Sequence, residues 1–348
     1  MLKAAVLGGS GYTGIELVRL LLSHPDVEVT AVTSERSAGL LISDVFINVR
    51  NTELKYDSLD LKVLAKRADL FFLCLPHKTS QETVAFLHNA GKRVIDLSAD
   101  YRLKNPKVYE EWYKIPHLYA PLLKKAVYGL PELYRKQIRK ASIIANPGCY
   151  PTSAILGLAP LMAKDFINVS GIIVDSKSGT SGAGRSPAQP FMFCEVNESV
   201  KAYSIAVHRH TPEIEQELSA LSHGNVRILF TPHLIPMDRG ILSTIYVPLK
   251  RKISLPDVQK LYNQYYHNEP FVRILQNGRY PATKAVKGGN YCDISVFLDE
   301  RSGKNQTLII VSAIDNLLKG ASGNAVQNMN IMYGFEETTG LLASPASP

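Results

Sequence analysis

The sequence predicts an α/β protein in two parts, a doubly wound parallel sheet followed by an α+β arrangement. Three observations carry this. Short apolar runs alternate with helical patterns up to residue 148, a glycine-rich turn joins the first run to the first helix, and beyond it long β-type runs outnumber helices.

The elements follow in order. "KAAVLGG" is a short apolar strand ending in glycine, and "TGIELVRLLLSHP" places apolar residues at helical spacing. "VEVTAVTSE" alternates as a strand, "DLFFLCLP" is apolar almost throughout, "SQETVAFLHNAG" is a helix with a glycine stop, and "RVIDLS" and "ASIIANPG" are strands. Strands this apolar belong to a parallel sheet covered on both faces. In the second part "GIIVDSKSGTSGAGRS" is a strand running into a glycine-serine loop. "RILFTPHLIP", "GILSTIYVPL", "YCDISVFLD" and "QTLIIVSAID" are further strands, with helices at Pro212–Leu221, Pro256–His267 and Leu317–Met332. The tail "ASPASP" reads as disordered.

Composition narrows the function. The 348 residues carry 45% hydrophobic and 20% charged residues, as a soluble globular protein does. The longest apolar runs, such as Leu70–Leu75, are strand-sized, so no membrane span is expected, and the strand pattern at the first residues gives no expectation of secretion. The charge of +8 is scattered, which suits a pocket for an anionic small molecule and not nucleic acid. Cys74, Cys149, Cys194 and Cys292 show neither metal spacing nor a disulfide framework, so reduced thiols and a cytoplasmic location are expected, with no metal.

"GGSGYTG" sets Gly8, Gly11 and Gly14 between the first strand and first helix. Glycines there let the backbone turn tightly and approach a pyrophosphate, whose charge the helix N-terminus favours. Gly8, Ser10, Gly11, Tyr12, Thr13 and Gly14 are therefore the expected cofactor-binding turn of a Rossmann-type domain. The bland alternative is a turn that merely needs small residues. After the second strand, Ser34 and Arg36 can donate to a 2′-phosphate, whereas Glu35 could serve NAD. A guanidinium forks well onto phosphate, which favours NADP. His77, after "CLP", could line the cofactor site.

"NPGCYPT" puts Cys149 between a turn signal and a helix that Pro151 opens. A helix N-terminus lowers a thiol's pKa from about 8.5 and offers N–H groups to an oxyanion. Cys149 is thus the candidate nucleophile, while Cys74, Cys194 and Cys292 read as structural. In "VHRHTPEIEQEL", Thr211 reads as the cap of a helix begun by Pro212, with His210 just before it and His208 two residues earlier. His210 is the acid–base candidate and His208 the alternative; a solvated helix start is the bland reading.

Six ordered stretches, "GGSGYTGIELVRLL", "NPGCYPT", "SGTSGAGR", "HRHTPEI", "PMDRGILST" and "DNLLKGASGNAVQNMN", resemble the N-acetyl-gamma-glutamyl-phosphate reductase family of arginine biosynthesis nearly end to end. The resemblance implies an NADP-binding Rossmann domain over 1–148, completed by a C-terminal helix within 315–348, and an α+β catalytic and dimerisation domain of the semialdehyde dehydrogenase type over 149–314. It implies NADPH-dependent reduction of an acyl phosphate to a semialdehyde through a thioester on Cys149, with inorganic phosphate released. Gly179 and Asn316 go to the cofactor under it, and Arg185, Arg209 and His208 to the substrate. The family forms homo-oligomers, dimers or tetramers. Aspartyl and aminoadipyl phosphates undergo the same chemistry, and glutamyl and aminoadipyl chains differ by one methylene, worth only about 1–3 kcal/mol in a pocket. An NADP-binding redox sensor and a cysteine hydrolase are the rivals from other classes.

Overall fold

The computed structural model describes residues 1–49, 52–76, 78–276, 278–301 and 306–345. The expectations for His77 and for the end of the tail fall outside them. Residues group into two compact units, one of Met1–Gly148, Gly184–Ser186 and Ala321–Leu342, the other of Cys149–Ala183 and Pro187–Gly320.

In the first unit seven strands run β1 (Leu2–Leu7), β2 (Val27–Thr33), β3 (Tyr56–Asp57), β4 (Leu70–Leu73), β5 (Arg93–Asp96), β6 (Ala126–Tyr128) and β7 (Ile143–Ala145). They lie in the order β3-β2-β1-β4-β5-β7-β6, with every neighbouring pair parallel. The order reverses between β1 and β4, which is where a doubly wound sheet opens a crevice at its carboxyl ends. All four residues of β4 are buried, as its unbroken apolar run requires. The strand stops at Leu73, so Cys74, expected inside it, lies just past its end and is only partly covered.

In the second unit the strands are β8 (Ile172–Ser178), β9 (Lys201–Ala202), β10 (Ile228–Leu234), β11 (Ile241–Pro248), β12 (Val272–Ile274), β13 (Cys292–Asp299) and β14 (Thr307–Ile314). Their order is β12-β13-β14-β11-β8-β10-β9, a mixed sheet whose long central pairs β13/β14, β14/β11 and β11/β8 are antiparallel. Alternating burial along β8, β10 and β11 leaves one face to the core and the other to solvent.

The helix Cys149–Met162 covers the core face, with every residue from Tyr150 to Met162 buried. Its interior Pro160 cannot donate to the carbonyl of Leu156, one turn back. The Tyr266 hydroxyl donates to that carbonyl instead, at 2.5 Å. Near the helix start, Ser153 Oγ bonds Ser243 and Ser312 at 2.9 and 3.0 Å, tying the helix to β11 and β14.

The last helical pattern does not run unbroken from Leu317. A π-type turn spans Leu318–Ser322, the regular helix is Gly323–Tyr333, and residues 315–320 group with the second unit. The sequence period was right, but it carries no sign of a widened turn.

Candidate active site

The glycine turn is built by close approach. Gly8 adopts a φ of +87°, and a Cβ there would lie 2.5 Å from the Cys74 carbonyl oxygen. A Cβ on Gly14 would lie 2.4 Å from the Gly8 oxygen, so the first helix packs directly on the turn. Gly11 is the N-cap of the helix Tyr12–Leu22, and no side chain caps it. The first N–H groups of such a helix have no intrahelical partner, which suits an anion. Gly9, which the sequence reading passed over, is as constrained, since its Cβ would meet Val32 at 2.1 Å.

Around the turn, Thr33 Oγ1 accepts from the Gly8 N–H at 3.1 Å, and the Ser34 hydroxyl donates to that of Ser10 at 2.8 Å. Glu35 is turned aside to accept the Leu59 N–H at 3.0 Å, while Arg36 is exposed. The Tyr56 hydroxyl is buried with no hydrogen-bond partner among the described residues. A cradle of glycines at a helix start, with the Glu35 carboxylate engaged elsewhere, fits a dinucleotide.

In the second unit the half-buried Cys149 opens its helix, with Pro151 in the first turn. The turn leading to it is held through Asn146, within the first unit. Asn146 accepts from the side chains of Asn324 and Asn328 at 3.2 and 3.1 Å, and its backbone carbonyl accepts from the buried Arg102 at 2.8 Å. Beside Cys149 the hydroxyls of Tyr150 and Tyr203 meet at 2.9 Å. Burial pushes the Tyr203 phenol up to about 12 and Tyr150 higher still, and the charge of Cys149 adds to both. Neither tyrosine was singled out in the sequence; Tyr150 stood inside "NPGCYPT", but nothing local marks Tyr203 as its partner.

His208 and His210 come together with this pair. The Tyr150 ring lies edge-on to both imidazoles, at 5.5 and 5.9 Å between centroids, and the two imidazoles are 4.9 Å apart. The backbone N–H of His210 donates to His208 Nδ1 at 3.1 Å. Burial, with the charge of Arg209 behind it, pulls the His208 pKa down to about 4, so its ring is neutral. His210, not Thr211, occupies the N-cap, and the helix begins at Thr211 with no side-chain cap bond. The expected Thr211 cap fails because its hydroxyl is buried without a partner among the described residues.

Other expected site residues have different surroundings. Asn316, expected at the cofactor, uses both ends of its amide inside the second unit, accepting from Gly240 N–H at 2.7 Å and donating to Ser181 Oγ at 3.0 Å. Gly179 lies against the Met237–Asp238 backbone, where a Cβ would come within 2.8 Å. Arg209 is exposed. Arg185, expected at the substrate, groups with the first unit and donates to the Ser10 carbonyl at 3.1 Å. Cys194, expected to be structural, is exposed, because its short helix Phe193–Val196 buries only Val196. Burial raises the Cys74 thiol, with the charge of Asp96 adding to it, and Cys292 is buried against Ser312. No group of three or more His, Cys, Asp or Glu among the described residues could hold a metal, and no described helix is long and apolar enough to cross a membrane.

Known proteins resemble this chain over its whole length. The profile for the semialdehyde dehydrogenase NAD binding domain matches residues 3–141, and that for the semialdehyde dehydrogenase dimerisation domain matches 149–316. N-acetyl-gamma-glutamyl-phosphate reductase of Desulfotalea psychrophila is 55% identical over 350 residues, covering 100% of each chain. The protein of that name from Geobacter metallireducens is also 55% identical over 350 residues, with the same coverage. Among solved structures, aspartate semialdehyde dehydrogenase II of Vibrio cholerae, complexed with ASA, superposes with a TM-score of 0.71 at 16% identity, over 96% of this chain and 98% of that one. Aspartate semialdehyde dehydrogenase with NADP from Candida albicans gives 0.68 at 16% identity, over 96% and 98%. At that identity the structural likeness speaks for the fold alone.

Proposed function

The chain belongs to the N-acetyl-gamma-glutamyl-phosphate reductase family of semialdehyde dehydrogenases, and on that premise we propose that it reduces N-acetyl-γ-glutamyl phosphate to N-acetylglutamate 5-semialdehyde with NADPH, through a thioester on Cys149. The first unit holds the nucleotide and the second carries the chemistry. The observation that carries the reading is the thiol of Cys149 at the start of a buried helix, in one unit with the Tyr150, His208 and His210 cluster.

The Cys149 sulfur attacks the acyl carbon, and the bond to phosphate breaks with its electron pair leaving on the phosphate oxygen. A thioester remains. The glycine turn at Gly8, Gly11 and Gly14 would hold NADPH, whose chemistry when bound would be to supply the hydride that the thioester carbon takes. The oxygen on that carbon then carries negative charge, which helix N–H groups favour. Loss of the thiolate from the carbon gives the aldehyde and restores Cys149. His210 holds and moves the proton that balances these steps. His208 keeps its Nδ1 lone pair on the His210 backbone N–H and so orients the segment. Arg209 and the Arg239 of "PMDRG", 3.5 Å from the buried Asp315 carboxylate, are candidates for the phosphate and carboxylate of the substrate.

A second copy of the chain is the proposed partner. The solvent face of the second sheet exposes Ile173, Leu229 and Tyr246, and the segment beside β9 adds Phe193 and Val200. Self-association through this face accords with the dimerisation-domain match. Free thiols accord with a reducing cytoplasm.

The reverse reaction tests the proposal. N-acetylglutamate 5-semialdehyde, inorganic phosphate and NADP should yield NADPH and the acyl phosphate. A parallel panel with the aspartate and aminoadipate semialdehydes should give slower turnover. If one of those two is preferred, the substrate assignment is replaced.

A further inference from the structure

Arg185 ends the glycine-serine loop, and Gly184–Ser186 group with the nucleotide-binding unit. Two contacts fix its guanidinium there. It donates from Nη1 to the Ser10 carbonyl at 3.1 Å, and its central carbon lies 4.3 Å from the centroid of the Phe46 ring. Ser10 belongs to the glycine turn, and its hydroxyl meets that of Ser34, the first residue past β2. The end of β2 is where the adenosine ribose of a dinucleotide lies in a sheet of this order.

The surroundings point to a negative group there. Glu35, which could take the ribose hydroxyls, accepts the Leu59 N–H instead. The Tyr56 hydroxyl, on a residue 2% exposed, has no hydrogen-bond partner among the described residues. Burial raises that phenol to about 12, and the Arg185 charge acts against the rise. A guanidinium has five N–H donors in a planar fork, and the Ser10 carbonyl takes one of them. The central carbon of the fork lies 4.3 Å from the Phe46 ring centroid, within cation–π range.

We propose that Arg185 binds the adenosine 2′-phosphate of NADPH, together with Arg36, and so sets the preference for NADPH over NADH. This rests on the nucleotide reading above and moves Arg185 from the substrate to the cofactor. The phosphate carries close to two negative charges, which two guanidinium groups match better than one.

The test uses the full chain without acyl substrate and reads binding rather than turnover. Nucleotide fluorescence gives Kd for NADPH and NADH, and calorimetry gives Kd for adenosine 2′,5′-bisphosphate and for AMP. Arg185→Ala should weaken NADPH and the bisphosphate by roughly 10–100-fold, the range for losing a charge-assisted hydrogen bond. NADH and AMP should change by less than about 3-fold, within the context dependence of a single contact. Arg185→Lys should recover part of the loss, and Arg36→Ala should show the same selective pattern. Equal weakening of NADPH and NADH would place Arg185 on the pyrophosphate and overturn the proposal. An unchanged NADPH Kd in Arg185→Ala would overturn it as well, by showing that Arg185 makes no contact with the cofactor. Parent protein that binds neither nucleotide would instead remove the nucleotide reading itself.

Discussion

Gly320 lies directly against Cys149: a Cβ on Gly320 would come within 2.9 Å of the Cys149 Cβ and 3.2 Å of its Cα. Gly320 is in the π-type turn Leu318–Ser322, and widened turns of this kind recur at functional sites. A glycine suits this place because the backbone passes Cys149, the proposed nucleophile, with no room for a side chain. Gly320→Ala should displace the thiol by a few tenths of an ångström or more. A misplaced reacting group can cost roughly 10²-fold in rate. Turnover should fall by about that factor, with NADPH Kd unchanged and the iodoacetamide reactivity of Cys149 altered. Normal turnover in a folded variant would show that the contact yields freely.

Cys149→Ser keeps nearly the same size but supplies a hydroxyl that stays protonated at neutral pH. The variant should bind NADPH as the parent does and produce no measurable semialdehyde. Alkylation gives the complementary readout. Cys194 is exposed and should label readily without loss of activity. Inactivation should follow label on Cys149, and acyl phosphate should protect that site alone. If dead enzyme carries label on Cys194 with Cys149 untouched, the covalent mechanism is wrong.

His210→Asn removes the proposed proton carrier. A positioned acid–base group contributes roughly 10²–10⁴-fold, and turnover should fall within that range. His208→Asn should cost less, because an amide oxygen can still accept the His210 N–H. A reversed order of damage, with His208→Asn the more severe, would exchange the two roles.

Acid should destabilise the protein through His208. Burial lowers its folded pKa from 6.5 to about 4, so between those values the unfolded chain binds a proton that the folded chain excludes. Stability from this group is complete above pH 6.5 and declines as the pH falls towards 4. The decline is roughly 1–3 kcal/mol once solvent screening of a partly covered ring is allowed for. Urea unfolding of the parent and of His208→Asn at pH 7 and pH 5 measures it. The variant should lose less stability between the two conditions, and an identical loss would assign the acid sensitivity elsewhere.

Local chemistry made much of this protein legible from its sequence. The period of apolar residues separates strands from helices because burial of one face is a local pattern. The glycine turn was legible because Gly8 needs a positive φ and Gly14 needs room, and both demands fall within a single turn. The helix start at Cys149 was legible because Asn146-Pro147-Gly148 and Pro151 bracket it within the same short stretch. What tertiary structure decided are the meetings between distant segments. No local window shows that Gly320 passes Cys149, that Tyr203 reaches the Tyr150 hydroxyl, or that Arg185 lies on Ser10. The His208 lone pair and the amide of Asn316 were likewise assigned by packing, since each took whichever partner the fold brought within reach. A buried polar atom must find a partner or cost free energy. The sequence supplies the atoms, whereas strand register and helix docking choose which of them meet.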